Sequence, residues 1–279
     1  MATPPSTTAP GAARATITAG GLPIVYDRAG AGFPLLLLHG WGGAARHWRA
    51  TMAGLADAHD LIAPDLPGFG ESPPAPGAAD AEALAEHVVA LADALGLDRF
   101  DLNGHSFCAG VAVHLAARHP ARVRRLVLTC FSTFRNEAER RLVDGVHNIL
   151  ALWLALRRPW MADSRPIRRA VGSRFFYRPP ADAGVLRACF EDFLRMDKRT
   201  ALETAATAGR PTITPALQAV GAPTLLLAAR QDRIMPPPGA PAAARLIPDC
   251  RLVWIERCGH LPMIERPAEY QRLLRAFLT

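Results

Sequence analysis

Gly104-His105-Ser106-Phe107-Cys108 joins a short strand-like run, residues 100–104, to a stretch at 107–119 that is apolar nearly all round (Val111, Ala112, Val113, Leu115, Ala116). An apolar surface on every side is what a central, buried helix requires. A serine between that strand and that helix sits where the chain must turn sharply, with its hydroxyl pushed into the crevice beyond the strand's carboxyl end. The helix N-terminus beside it favours developing negative charge.

On the N-terminal side, residues 15–19 and 22–28 read as two strands about Gly20-Gly21, a hairpin signal. The run 34–38 (Pro-Leu-Leu-Leu-Leu) suits a strand buried on both faces of a parallel sheet. A helical stretch at 44–57, a strand at 60–64, a Gly/Pro-rich loop at 65–79 and a helix at 80–96 ended by Gly96 lead up to the serine. On the C-terminal side, 123–130 is a strand, after which the alternation stops. Residues 132–215 carry no strand signal and read as helices broken by Pro159, Pro166 and Pro179-Pro180. The alternation resumes with strands at 223–229 and 251–256 and helices near 239–247 and 267–278. Alternating strands and helices predict a mostly parallel, eight-stranded α/β sheet flanked by helices.

The 279 residues suffice for a large core without a disulfide or metal staple. Five cysteines (108, 130, 189, 250, 258), odd in number and without a CxxC pair, predict neither a disulfide framework nor a zinc site, and fit the cytoplasm. The first residues lack a signal peptide's basic start and apolar block, and 1–14 reads as a disordered lead-in. The longest apolar run, 149–156, is too short to span a bilayer. The net charge of +7 is uneven: residues 157–178 hold seven arginines and one acid, Asp163.

A serine hydroxyl is a poor nucleophile until a base takes its proton. Two later segments offer partners: Asp232, just past the strand at 223–229 and followed by Pro236, and His260 in Cys258-Gly259-His260-Leu261-Pro262, followed by Glu265-Arg266-Pro267. Upstream, His39-Gly40-Trp41-Gly42-Gly43 closes the strand at 34–38, and its glycines allow close approach of the backbone. It lacks the GxxxxGK[ST] spacing of a phosphate loop.

With these segments in order, the chain resembles the α/β-hydrolase superfamily over residues 15–131 and 216–279. Its elbow reads G-x-S-x-G, with Cys108 standing where the second glycine belongs; a small non-glycine residue there also resembles the plant strigolactone and karrikin receptors. The resemblance implies Ser106 as nucleophile, Asp232 as acid and His260 as base, in the family's chain order. It implies backbone N–H groups of Trp41 and Phe107 as the oxyanion hole. Some relatives carry the acid after the sixth strand, where this chain has Thr129-Cys130-Phe131-Ser132-Thr133 and no carboxylate. Asp65-Leu66-Pro67-Gly68 resembles the family's structural loop after the fourth strand.

The family's architecture makes 132–215 a helical cap (lid) over a core formed by 15–131 and 216–279. The apolar stretch 146–156 suggests a hydrophobic substrate, with Phe131, Trp153 and Leu261 as candidate contacts. The arginine-rich segment 157–178 is either a solvated face or a dock for an acidic carrier protein or anionic substrate, or for an anionic membrane surface. No nucleic-acid-binding pattern occurs. No cofactor or metal is implied. The expected activity is hydrolysis of a carboxylic ester, thioester, lactone or C–C bond of a hydrophobic small molecule. An acyltransferase or perhydrolase on the same residues, or a slow-turnover ligand receptor, remains open. A haloalkane dehalogenase is disfavoured, because residue 106 is serine rather than aspartate.

Overall fold

The computed structural model describes residues 11–133, 157–180, 182–207 and 212–279. Eight strands make one sheet: β1 Ala13–Ala19, β2 Leu22–Ala29, β3 Phe33–Leu38, β4 His59–Pro64, β5 Phe100–His105, β6 Val123–Thr129, β7 Thr224–Ala229 and β8 Cys250–Ile255. Their spatial order is β1-β2-β4-β3-β5-β6-β7-β8. β2 pairs antiparallel with both β1 and β4, and every pairing from β4 to β8 is parallel. The hairpin between β1 and β2 closes on Gly20 and Gly21, with φ of 55° and 80°. Two left-handed residues in a row are what a two-residue hairpin of matching twist demands.

β1 starts at Ala13, inside the stretch expected to be a lead-in. Arg14 holds it there: its guanidinium bonds Asp27 and Asp65, each at 2.7 Å. The rest of that expectation, residues 1–10, lies outside the described residues.

Consecutive leucines of β3 explain the layering, because successive strand side chains point to opposite faces. Leu36 and Leu38 pack with Leu84 and Val88 of α2 (Ala81–Ala94) and with Val111 and Leu115 of α3 (Phe107–Arg118). Leu35 and Leu37 pack on the other face with Met52 of α1 (Arg49–Leu55) and with Tyr270 and Leu274 near the C-terminus. The helix expected over 44–57 divides into a 3-10 turn, Ala45–Trp48, followed by α1. α2 is capped by Asp80, whose carboxylate accepts from Ala83 N at 2.9 Å.

Between β6 and β7 the described residues form a 3-10 turn at Pro159–Ala162 and four helices: α4 Arg165–Phe175, α5 Ala183–Arg195, α6 Lys198–Thr207 and α7 Ile213–Gln218. No strand occurs among them. The expected apolar stretch 146–156, with Trp153, lies outside the described residues. After β7 come α8 (Ala240–Leu246), then β8, the short α9 (Pro262–Glu265) and α10 (Pro267–Leu278).

A buried polar knot ties the central strands to α10. Asn103 Nδ2 donates to the Tyr270 hydroxyl at 2.7 Å, Thr129 Oγ1 donates to Asn103 Oδ1 at 3.0 Å, and the Thr129 and Tyr270 oxygens lie 2.7 Å apart. Tyr270→Phe removes an acceptor and a donor from a fully buried site. The expected cost is about 1–3 kcal/mol, read as a drop of several degrees in Tm by calorimetry.

Candidate active site

β5 runs directly into α3 through Ser106, whose φ of 55° and ψ of −121° fall in a region that non-glycine residues avoid. The turn closes because Gly104 has no side chain. A Cβ there would sit 2.3 Å from Cys108 O and 2.8 Å from the Ala109 Cα. Cys108 itself is fully buried, and burial pushes its thiol pKa up, so it packs as a small apolar group.

His260 and Asp232 arrive from loops after β8 and β7, as the parallel order requires for residues gathered at the strands' carboxyl ends. His260 Nε2 lies 2.7 Å from Ser106 Oγ, and His260 Nδ1 lies 2.7 Å from Asp232 Oδ2. The other carboxylate oxygen accepts from the N–H groups of Ile234 and Met235 at 2.8 and 2.9 Å. Those two bonds leave Asp232 one free edge, which faces the imidazole. All three side chains belong to buried residues. Sequence reasoning named all three, and the structure brings them together.

The two loops are fastened to each other and to α4. Gln231 N donates to Cys258 O at 3.1 Å, while Cys258 N donates back to the Gln231 side chain at 3.0 Å. His260 N donates to Phe175 O at 2.6 Å. The Glu265 carboxylate accepts from Gly259, Tyr177 and Arg178 N–H groups at 2.8, 3.1 and 2.7 Å. Gly259 is obligatory there, because a Cβ would lie 2.5 Å from Phe175 O.

Two further histidines set the surrounding backbone. His39 Nε2 accepts from Leu66 N at 3.1 Å, so its Nδ1–H donates to Gly40 O at 2.9 Å. His105 Nε2–H donates to His260 O at 2.7 Å. Burial lowers the pKa of both, chiefly by withholding solvent from the charged ring. The sign of the stability effect follows. Below pH about 6.5 the unfolded chain protonates these rings while the folded protein resists. Their stabilisation is therefore present above that pH and lost as the pH falls, so Tm should decline between pH 7 and 5.

The loop His39–Gly43 lies against the elbow. A Cβ on Gly40 would meet His105 Nδ1 at 2.4 Å and Ser106 Cβ at 3.3 Å. Trp41 is fixed from the other side: its indole N–H donates to Thr204 Oγ1 at 2.8 Å and its ring meets Phe193 edge-on at 5.7 Å. Phe107 opens α3, where first-turn N–H groups lack intrahelical acceptors.

A cavity opens over these groups. Gly40, Trp41, His260 and Leu261 form its floor, and Val171, Phe175, Phe176, Phe190 and Phe193 its apolar walls. Leu261, a candidate contact from the sequence, lines this cavity. Phe131 is buried in the apolar cluster that contains Phe193 and is not part of the cavity lining. His47 and Cys189 also line the cavity, and nothing in their local sequence marks them. Among the described residues, His105, Cys130 and His260 bring possible metal-ligating atoms within 4.8 Å of one another. Both nitrogens of His260 and the Nε2 of His105 are already held by protein groups.

A buried serine bonded to a carboxylate-oriented imidazole, at the carboxyl edge of a parallel sheet, is the arrangement that defines serine hydrolases. The chain belongs to the alpha/beta hydrolase fold family, whose pattern it matches over residues 34–267. It is 32% identical to 2-hydroxymuconate semialdehyde hydrolase of Pseudomonas sp. (strain CF600), over 94% of this chain and 93% of that protein. It is 31% identical to a pimeloyl-[acyl-carrier protein] methyl ester esterase of Neisseria meningitidis serogroup B (strain H44/76), over 87% of this chain and 91% of that one. Among solved structures, a thermophilic esterase from Thermogutta terrifontis superposes with a TM-score of 0.80 at 28% identity, covering 95% of this chain and 98% of the esterase.

Proposed function

We propose that this protein hydrolyses a carboxylic ester or related acyl bond of a small, hydrophobic molecule, with Ser106 as nucleophile, His260 as general base and acid, and Asp232 orienting the imidazole. The observation that carries this reading is the pair of 2.7 Å contacts running from Ser106 Oγ through His260 to Asp232. Ser106 attacks the carbonyl carbon as its proton passes to Nε2, and Asp232 steadies the imidazolium. The N–H groups of Trp41 and Phe107 hold the oxyanion, a role supported by the close packing of Gly40 on the elbow. His260 then protonates the leaving group and activates the water that releases the acid. The relatives named as hydrolases of a semialdehyde and of a methyl ester support an acyl bond as the target. The aromatic walls support an apolar acyl group.

Residues 132–215 act as a cap over a core of 15–131 and 216–279, supported by the contribution of α4 and α5 to the cavity wall. The enzyme works in the cytoplasm, a placement supported by its five unpaired thiols.

A second reading concerns delivery of the substrate. Arg165, Arg168 and Arg169 line a separate groove beside Pro179 and Pro180. That groove suits an acidic carrier protein bearing the acyl group, and one relative is named for a carrier-bound ester. Steep loss of kcat/KM with salt on a carrier-bound substrate, absent on a free ester, is its expected signature.

Glu265 is a positioning residue for the histidine loop. Glu265→Gln places an amide against three N–H donors, one of which it must repel. We expect kcat to fall about tenfold to a hundredfold with KM little changed, checked by steady-state kinetics on one ester.

The deciding experiment combines a fluorophosphonate with a panel of esters, thioesters, lactones and dienol ketones. Stoichiometric labelling mapped to Ser106, with turnover above about 1 s⁻¹ on at least one substrate, is the expected result. An unlabelled Ser106 in folded protein overturns the mechanism. Labelling with a single slow turnover points instead to a receptor.

A further inference from the structure

Cys189 and Asp192 are three residues apart on α5 and therefore share one face of that helix. That face meets the turn Ala45–Trp48. Arg46 binds both oxygens of Asp192 at 2.6 and 2.5 Å and the Ala188 carbonyl at 2.6 Å. His47 Nε2 lies 3.3 Å from Asp192 Oδ2 without the alignment of a hydrogen bond, although the residue is only 9% exposed. The Cys189 sulfur faces the same ring, and both residues line the cavity beside His260. Burial alone would strip the imidazole of its proton. The Cys189 sulfur and the Asp192 carboxylate outweigh that effect and push its pKa up to about 10.

We propose that Cys189, His47 and Asp192 form a second nucleophilic set in the cavity wall, a thiolate–imidazolium pair that is a covalent-modification site for alkenes conjugated to a carbonyl. The thiolate sulfur donates a pair to the β-carbon and forms the C–S bond. The π electrons move toward the carbonyl, and the α-carbon takes the proton of His47, which regains one from water. Nothing leaves, and no oxidant or reductant is needed. The adduct occupies the cavity above Ser106 and closes it to substrate.

The other thiols are poorly suited. Cys108, Cys130 and Cys258 are buried, and burial pushes their pKa values up. Cys250 is half-buried and pushed up to about 11. The charged groups facing the Cys189–His47 pair are Arg46, Asp192 and Glu191, with the neutral rings of His39 and His105 beyond.

This inference does not rest on the hydrolase reading, because its readout is an added mass on Cys189. The full chain is treated with N-ethylmaleimide between pH 5.5 and 9, and the adducts are located by peptide mass mapping in wild type, Cys189→Ser and His47→Gln. We expect one adduct, on Cys189, formed at nearly constant rate from pH 6 to 9 and absent from Cys189→Ser. In His47→Gln the pH 6 rate should drop at least about tenfold, with the profile rising toward an ordinary thiol midpoint near 8.5. Labelling of Cys250 first, an unlabelled Cys189, or a wild-type rate that climbs about tenfold per pH unit toward that same midpoint overturns the proposal. Should His47→Gln fail to fold, the wild-type profile alone decides between these outcomes.

Discussion

Ser106→Ala is expected to abolish turnover by a factor of about 10⁵–10⁶ while leaving the fold intact, and Ser106→Gly is expected to be equally inactive yet more stable than the alanine variant. The comparison separates two properties that the serine combines. Both variants lose the hydroxyl and leave His260 Nε2 without its 2.7 Å partner, so that loss cancels between them. They differ in the Cβ. Alanine keeps it, and with it the cost of φ 55°, ψ −121°, which is about 1–3 kcal/mol for a side-chain-bearing residue. Glycine escapes that cost but gives back roughly 0.5–1 kcal/mol through the freer unfolded chain. A Tm for Ser106→Gly at or above that of Ser106→Ala, with neither variant showing burst or steady-state turnover, is the outcome that ties the strained elbow to function. Turnover retained in Ser106→Ala would remove the nucleophile from the mechanism altogether.

The parts of this site that were legible in the sequence are those fixed by short-range geometry. Gly104, Ser106 and the apolar helix after them form one continuous segment, so the turn's requirement for small neighbours can be read residue by residue. Asp232 and His260 were legible for the same reason: each closely follows a strand, and a parallel sheet carries such positions to one edge. The cavity wall was not legible. Phe190, Phe193, Cys189 and Asp192 lie on one helix whose local pattern says only that it is amphipathic. Their approach to Trp41, Gly42 and His47 depends on contacts about 150 residues apart, such as Arg46 with Asp192 and Trp41 with Thr204. Phe131, whose place after β6 suggested a substrate contact, packs in the cluster that also contains the cavity-lining Phe193. The end of β6 shows a finer version of the same limit. Cys130 takes φ 53° and terminates the strand one residue early, a left-handed step that no local glycine announces.

Asp232→Asn is expected to lower kcat by about 10⁴ with almost no change in structure, and the reason lies in which edge of the carboxylate faces the imidazole. Oδ1 accepts from two backbone N–H groups, Ile234 and Met235. An asparagine must present its single carbonyl oxygen to those two donors, because its NH₂ there would meet hydrogens head-on. The NH₂ is then left facing His260 Nδ1, where it can only donate. His260 responds by carrying its proton on Nε2, and that nitrogen can no longer accept from Ser106. The defect is therefore one of tautomer rather than of charge alone, and Asp232→Ala should be impaired less steeply, since a water can restore the productive tautomer. A hydroxide-dependent rise in the rate of Asp232→Asn at high pH, with wild-type KM, would identify the wrong tautomer. Equal losses in the asparagine and alanine variants would show instead that the negative charge of Asp232 does the work.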